Sequence, residues 1–234
     1  MIDPDSNSLL LLYDDAQSIY HKQAGLGFSL SSVGIKAQGR TTVLRLNYRN
    51  TREILHFAYD FASRYLDPQS ADDDHVPLLA PEAAGGSGPR PVVKHFGTLQ
   101  DEVRYAVACV KKWHARGIAW RDMAMIYAGG PLGENVSVAL CDSGIPHLWM
   151  HTRQSKSAFD PEMDQVTVMT IHSSKGLEFS RVILLGVGQL GRDETREAED
   201  ARLLYVGMTR ARECLLLTSS TDSPFSRKLL KNSD

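Results

Sequence analysis

Short apolar runs alternate with amphipathic stretches along most of the chain. The runs are rich in Leu, Val and Ile, and they are SLLLLYD, TVLRLNY, RPVVKHF, AMIYA, PHLWM, VTVMTI, RVILLGV and CLLLTSS. Such runs predict buried strands, mostly of a parallel sheet. Between them, apolar residues recur at helical spacing in residues 51–65, 99–116, 133–142 and 195–208. The alternation predicts a doubly wound α/β fold, with ligands at the carboxyl ends of the strands.

Two stretches interrupt this alternation. Residues 67–91 combine prolines, glycines and an acidic triplet, a composition that predicts a loop or tether. In the first 40 residues a single apolar strand is followed by a Gly/Ser-rich crossing at 25–39. Because one strand is not stable without partners, this strand is expected to need a sheet from elsewhere.

Composition adds a few exclusions. The 234 residues carry a net charge of −2, which excludes a polycationic nucleic-acid coat but leaves a local basic groove open. Cys109, Cys141 and Cys214 form no C-x-x-C pair, so they predict reduced core residues of a cytosolic protein and no metal site. No apolar run is long enough for a membrane span, and the N-terminus MIDPDSNS lacks a secretion signal. We therefore expect a cytoplasmic protein with no membrane partner.

The segment LLLLYDDAQSIY brings Asp14, Asp15 and Gln17 to the carboxyl end of a strand. Acids and an amide there could hold a metal or orient a water. The alternative is an ordinary helix start capped by Asp15, and on this segment alone the alternative is favoured.

The segment VLRLNYRNTREIL crowds Arg45, Arg49 and Arg52 at a strand-to-helix junction where Asn50 and Thr51 are both plausible caps. Arginine near a helix N-terminus suits an anion. A solvated basic patch paired with the following glutamate is an equally weighted alternative.

The segment VTVMTIHSSKGLEFSRVILLGV places a short polar connection between two strongly apolar strands. Hydroxyls, a lysine and glycine-freed backbone N–H groups can hold phosphates, and a carboxylate can accept from a sugar hydroxyl. A turn rich in small residues is the alternative, but function is favoured here. The polar residues are His172, Ser173, Ser174, Lys175, Gly176 and Glu178.

The segment ARLLYVGMTRARECLLLTSS brings Arg210 and Arg212 to the start of a buried strand. Arginines in this position could reach a transferring phosphoryl group. They could instead neutralise Glu213 and the acidic stretch at 193–200.

Two glycine-containing phosphate-binding motifs bear on nucleotide binding. Residues 186–191 match G-x-G-x-x-G after a strand, but the polar sequence RDETREAED that follows predicts a glycine-rich loop and no dinucleotide fingerprint. The 234 residues contain no Gly-Lys dipeptide, and hence no G-x-x-x-x-G-K-[ST] phosphate loop. No apolar strand ends in an Asp-Glu pair either. The two pairs in the sequence, Asp101-Glu102 and Asp193-Glu194, have polar surroundings that predict helix starts.

Taken in order, four segments resemble the late motifs of superfamily 1 DNA helicases of the UvrD/Rep/PcrA type. DDAQSIY resembles motif III, NYRNT motif IV, TIHSSKGLEF motif V and YVGMTRAR motif VI. The resemblance implies a RecA-like (P-loop NTPase type) α/β three-layer sandwich with a mostly parallel sheet. It further implies that residues 1–40 are a remnant of the first motor lobe and residues 41–234 the second lobe.

The resemblance also implies roles for individual residues. Gln17, Arg49 and Arg210 would face the γ-phosphate of ATP, with Arg210 as arginine finger. The ATP site would also include Gly176 and Glu178, with Glu178 on the ribose, whereas Mg²⁺ would be held mainly by the missing first lobe. Single-stranded DNA would be contacted by Thr170, His172, Ser173, Lys175 and Tyr20.

Two departures from the family accompany the resemblance. Lys22-Gln23-Ala24 stands where the family usually has Trp-Arg-Gly, so a base-stacking tryptophan is missing there. The large helical subdomain 2B, which the family inserts before motif V, is reduced to HTRQSKSAFDPEMDQ.

The main hypothesis is therefore the C-terminal motor lobe of an ATP-dependent DNA helicase or translocase, moving 3′ to 5′ and inactive without its upstream lobe. Its partners would be single-stranded DNA, ATP and that lobe. A non-catalytic DNA- or protein-binding module is the alternative. A nucleotide-dependent oxidoreductase built on residues 186–191 is a third hypothesis.

Overall fold

A computed structural model describes residues 46–65, 82–83 and 86–233. Two short strands, β1 (Leu46–Asn47) and β2 (Glu82–Ala83), pair in parallel. The other six strands form one sheet in the order β3-β8-β7-β4-β6-β5, and every neighbouring pair in it is parallel. They are β3 (Val92–His95), β4 (Met123–Tyr127), β5 (His147–Trp149), β6 (Val166–Thr170), β7 (Phe179–Leu185) and β8 (Ala211–Ser219).

Side chains of the central strands alternate between the two faces of this sheet. Ala124 and Ile126 of β4 pack on one face with α1, α5 and α6, whereas Met123, Met125 and Tyr127 pack on the other with α2 and α3. The helices are α1 (Arg52–Ala62), α2 (Leu99–His114), α3 (Leu132–Asp142), α4 (Arg153–Ser157), α5 (Glu197–Met208) and α6 (Pro224–Ser233). Helices on both faces of a parallel sheet confirm the predicted three-layer α/β fold.

The structure describes the last residues of the predicted loop at 67–91, and these are held against α1. Gly88 N–H donates to Glu53 Oε2 at 2.7 Å, and this bond lowers the pKa of the Glu53 carboxyl. A Cβ at Gly88 would lie 2.7 Å from Thr51 Cγ2, so only glycine lets the chain approach α1 this closely.

The helices α1, α2, α3 and α5 occur where the apolar spacing predicts them, but α4 and α6 have no counterpart among the predictions. Both begin at reciprocal polar caps. Thr152 and Ser155 form a capping box at α4, and Ser223 and Ser226 exchange side chain-to-backbone bonds at α6. Such caps fix a helix start without a long apolar pattern.

One prediction needs correction and another lies beyond the described residues. Cys141 is exposed and the other two cysteines are only half-buried, so the expectation of core cysteines is wrong, although burial raises the pKa of the Cys109 and Cys214 thiols. Residues 1–40, predicted as part of another lobe, lie outside the described residues. Among the helices that are described, none is both long and apolar enough to cross a bilayer.

Candidate functional site

Arg49 and Glu178 form an ion pair beside the amino end of β7. Arg49 lies in the turn after β1, and Glu178 immediately precedes β7. Arg49 Nε is 3.6 Å from Glu178 Oε2, and the two side chains are 65% and 42% exposed. An exposed pair contributes only about 0–1 kcal/mol to stability. Its significance is therefore positional, because it joins motif IV to motif V.

Asn50 ties the same turn to the start of β8. It is 2% exposed, and its Nδ2 donates to the carbonyls of Thr209 at 3.0 Å and Ala211 at 2.6 Å. These carbonyls flank Arg210 in sequence. Asn50 is thus no helix cap. Thr51 occupies the N-cap position of α1, without a side-chain capping bond.

Arg210 lies in this cluster but points inward. The residue is 3% exposed. Its Nε donates to Val206 O at 3.0 Å, Nη1 to Leu177 O at 3.2 Å and Nη2 to Thr209 Oγ1 at 3.3 Å. The alternative, in which Arg210 neutralises Glu213, does not hold among these contacts. Glu213 pairs with Arg181 instead, at 3.4 Å. Arg210 would have to exchange these bonds to reach a phosphate.

A cleft of about 300 Å³ opens beside this cluster. Glu178, Phe179 and Arg212 line one part of it, and the segment before β6 lines another. Arg212 Nε is buried and has no hydrogen-bond partner among the described residues. The volume is at the lower end of the range for small-molecule sites. The charged lining of the cleft comprises four carboxylates and two guanidinium groups, those of Asp122, Asp160, Glu162, Glu178, Arg121 and Arg212.

A second group of predicted residues lies at the opposite edge of the sheet. Thr170 ends β6 and is level with Tyr127 at the end of β4. Its Oγ1 donates to Ser173 Oγ at 3.0 Å and accepts from Ser173 N–H at 3.2 Å, which fixes the 3-10 turn His172–Ser174. His172 and Lys175 are exposed on this connection. Hydroxyls, an imidazole and an ammonium group here could hold phosphates.

The predicted site residues therefore divide between two edges. Arg49, Glu178 and Arg210 lie at the amino ends of β7 and β8, not at the carboxyl ends where the sequence analysis expects ligands. The reason is topological: residues 171–178 run from the carboxyl end of β6 to the amino end of β7. Gly176, on this connection, has a φ of +87° and open space around its Cβ position. Gln17 and Tyr20 lie outside the described residues.

The glycine-rich loop at 186–191 is built for packing. Gly186 N–H donates to Glu102 Oε1 at 2.9 Å and Gly191 N–H to Asp200 Oδ2 at 2.9 Å. A Cβ at Gly188 would lie 1.8 Å from Thr221 O. Carboxylates occupy the amides that a pyrophosphate would need, which argues against the oxidoreductase hypothesis. In residues 46–65, 82–83 and 86–233, no cluster of His, Cys, Asp and Glu could hold a metal ion.

Two residues of structural importance were missed by the sequence analysis. The local sequence around Asn50 predicts only a helix cap. Glu102 was assigned to a polar helix start, yet it is fully buried in the first turn of α2 and also accepts from Thr218 Oγ1 at 2.7 Å. Its Oε2 has no hydrogen-bond partner among the described residues. Both side chains act across more than 80 residues of sequence, beyond the reach of a local pattern.

The architecture places the chain among α/β domains with an all-parallel sheet flanked by helices. The sequence profile of the UvrD-like helicase C-terminal domain matches residues 42–155 and 148–222. The chain belongs to this family.

Individual relatives match shorter or more distant regions. The ATP-dependent DNA helicase Rep of Escherichia coli K12 is 45% identical over 65 residues, covering 25% of this chain and 10% of Rep. DNA helicase II of the same organism is 46% identical over 66 residues, covering 25% of this chain and 9% of its own length. A probable DNA helicase of Mycoplasma pneumoniae is 23% identical over 189 residues, covering 77% of this chain and 32% of that protein. The matched regions thus span from a tenth to a third of these relatives.

A solved structure has the same fold. It is the C-terminal domain of a possible DNA helicase from Lactobacillus plantarum WCFS1, with a TM-score of 0.55 and 22% identity, covering 78% of this chain and 94% of that one. At this identity the similarity concerns the fold alone.

Proposed function

We propose that this chain is the second motor lobe of an ATP-dependent DNA helicase or translocase, which completes an ATP site and grips single-stranded DNA. Family membership supports the proposal. The observation that carries it is the meeting of motifs IV, V and VI: Arg49 pairs with Glu178, and Phe179 N–H donates to Arg210 O at 2.9 Å. Each motif thereby contributes an ionisable side chain at one edge of the sheet.

In this proposal ATP binds between this edge and the upstream lobe, which would also supply the phosphate loop and most of the Mg²⁺ ligands. The triphosphate would draw Arg49 away from Glu178, because that exposed pair is weak. The freed Glu178 carboxylate would then accept from a ribose hydroxyl. A phosphate carries a full negative charge and can accept two parallel bonds from one guanidinium, which would favour exchange of the carbonyl partners of Arg210 for the phosphate. Its guanidinium would then stabilise the charge that develops on the transferred phosphoryl group.

The DNA grip is assigned to the carboxyl edge. Thr170, Ser173, His172 and Lys175 would hold phosphates of a single strand, and closure of the lobes around ATP would move that strand. Movement from 3′ to 5′ is proposed by analogy with the family. A strand-displacement assay on substrates with only a 3′ or only a 5′ tail tests this direction.

The decisive experiment joins this chain to its upstream lobe and measures ATP hydrolysis with single-stranded DNA present. Loss of an arginine finger should lower the rate by about 10³-fold or more in Arg210→Ala. Arg227→Ala is the matched control, because the side chain of Arg227 forms an exposed pair with Asp222 at 2.9 Å, far from the proposed site, and its loss should leave the rate unchanged. The 234 residues alone should not hydrolyse ATP, and activity of this chain that disappears in Arg210→Ala would overturn that expectation.

A non-catalytic binding module is the second candidate. The burial of Arg210 favours it, since a guanidinium bonded to Val206 and Leu177 carbonyls can serve as a structural cation. If the assembled protein binds ATP and DNA but never hydrolyses ATP, this candidate replaces the motor.

A further inference from the structure

The carboxyl end of β5 carries a stacked pair of rings beside the proposed DNA grip. The Trp149 and His151 ring centroids are 3.9 Å apart and their planes differ by 22°. Trp149 is half-buried and its Nε1 donates to Tyr127 Oη at 3.1 Å. His151 is exposed, and both its backbone N–H and its Nδ1 lie 3.0 Å from Trp149 O. One face of the imidazole is therefore covered by the indole, and the ring is held in place.

The sheet register puts these rings next to Thr170. Trp149 is paired with Val168, and Met150 N–H donates to Val168 O at 2.8 Å. His151 and Thr170 each follow this last pair by two residues, so both lie at the carboxyl ends of adjacent strands. A strand of nucleic acid that crosses Thr170 and Ser173 would pass this ring.

The charges around the rings favour an anionic ligand. The segment 147–156, HLWMHTRQSK, contains no acidic residue. Arg153 and Lys156 are exposed on α4, and neither forms an ion pair with a described residue. Helix α3 packs on β5, and the acidic residue in its first turn is Glu134. The local surface is therefore basic although the chain as a whole is slightly acidic.

We propose that His151, supported by Trp149, is a base-stacking platform for single-stranded nucleic acid, and that Arg153 and Lys156 contact the phosphates beside it. The platform rests on the proposed function, since it extends the grip at Thr170 and Ser173. Because Trp149 already holds the ring of His151, stacking a base on it costs the His151 side chain little additional entropy. Stacking on an aromatic side chain is worth about 1–3 kcal/mol per base. A duplex hides its base faces and would not use the platform.

The test measures the affinity of the 234-residue chain for two labelled probes of about 12 nucleotides. One is oligo(dT), and the other is an abasic strand with the same number of phosphates. His151→Ala should weaken oligo(dT) binding by about 5-fold to 100-fold, the equivalent of one stacked base. It should leave abasic binding unchanged. His151→Phe should restore oligo(dT) binding, because a phenyl ring also stacks.

A fluorescence reporter gives an independent readout. The chain has three tryptophans, and Trp113 and Trp120 lie at the other end of the sheet, on the approach to β4. With both changed to Phe, oligo(dT) should quench the remaining Trp149 and the abasic strand should not. For the phosphate contacts, Arg153→Ala should reduce the slope of log affinity against log salt by about 0.7, and the control Arg116→Ala should not.

The outcomes separate the platform from the grip. If Lys175→Ala weakens oligo(dT) binding and His151→Ala does not, the platform is wrong and the proposed grip stands. Equal losses for both probes in His151→Ala would also overturn stacking. If the unmodified chain binds neither probe, both the grip and the platform are overturned.

Discussion

The two edges of the parallel sheet hold their polar groups in different ways. At the amino edge the guanidinium of Arg210 is bonded to backbone carbonyls, and Arg49 is paired with a carboxylate. At the carboxyl edge His151, His172 and Lys175 are exposed. A ligand at the amino edge must reach a guanidinium that is almost fully buried, whereas a ligand at the carboxyl edge meets side chains that are exposed to solvent. The two edges therefore differ in burial more than in residue type.

The largest stability effect is expected at the carboxyl edge, in Gly188→Ala. The new Cβ would lie 1.8 Å from the backbone oxygen of Thr221, so the loop after β7 must shift. We expect a loss of about 3 kcal/mol in the free energy of unfolding, measured by urea titration. Gly97→Ala is the control, because no atom of the described residues, apart from its chain neighbours, lies within 4 Å of its Cβ position. Equal stability of the two variants would contradict the packing role of this loop.

The next effect is expected at the amino edge, in Asn50→Ala. This change removes two bonds to the Thr209 and Ala211 carbonyls and should cost about 2 kcal/mol of unfolding free energy. In the assembled protein it should also lower ATP hydrolysis, because Arg49 and Arg210 lose their common anchor. Oligo(dT) affinity of the folded chain should not change.

A surface asparagine provides the control for that experiment. Asn135 is exposed and donates to Pro131 O at 2.9 Å, so Asn135→Ala should cost well under 1 kcal/mol. If Asn50→Ala weakens oligo(dT) binding as much as it lowers hydrolysis, the two edges do not act separately.

The smallest effect is expected for the Arg49–Glu178 pair. A double-mutant cycle with Arg49→Ala and Glu178→Ala should give a coupling of about 0.5 kcal/mol in low salt, because both side chains are largely exposed. The coupling should disappear near 1 M salt, where the screening length is about 3 Å. A coupling above about 2 kcal/mol would mean that the pair locks the amino edge against a nucleotide.

Much of this architecture could be predicted from local patterns. The apolar runs around Ile126 and Ile183 each became a central strand, because continuous burial on both faces selects such sequences. The run around Val93 became the edge strand β3, in which only Val93 is buried. The TVLRLNY run is an exception, because within the described residues it supplies only the two-residue strand β1 and no strand of the large sheet. Helix α6 was missed even though Ser223-Pro224 and Ser226 form a recognisable start signal.

The site was less predictable for a physical reason. The motif order identified Arg49, Glu178 and Arg210, but their edge of the sheet depends on the connection at 171–178 crossing from one end of the strands to the other. The withdrawal of Arg210 into the lobe depends on carbonyls of Val206 and Leu177. Backbone acceptors carry no sequence signature, so no pattern of side chains reveals them.

Under the proposed function, in which a nucleotide and an oligonucleotide bind at opposite edges, the crossing of residues 171–178 has a thermodynamic consequence. A nucleotide and an oligonucleotide that occupy opposite ends of one covalent segment do not compete for atoms, so any influence between them is a heterotropic linkage. That linkage is reciprocal: whatever factor the nucleotide applies to the oligonucleotide's dissociation constant, the oligonucleotide applies to the nucleotide's. One connection of the chain thus reports on both ligands, and calorimetric titration of each ligand in the presence of the other measures the same free energy twice.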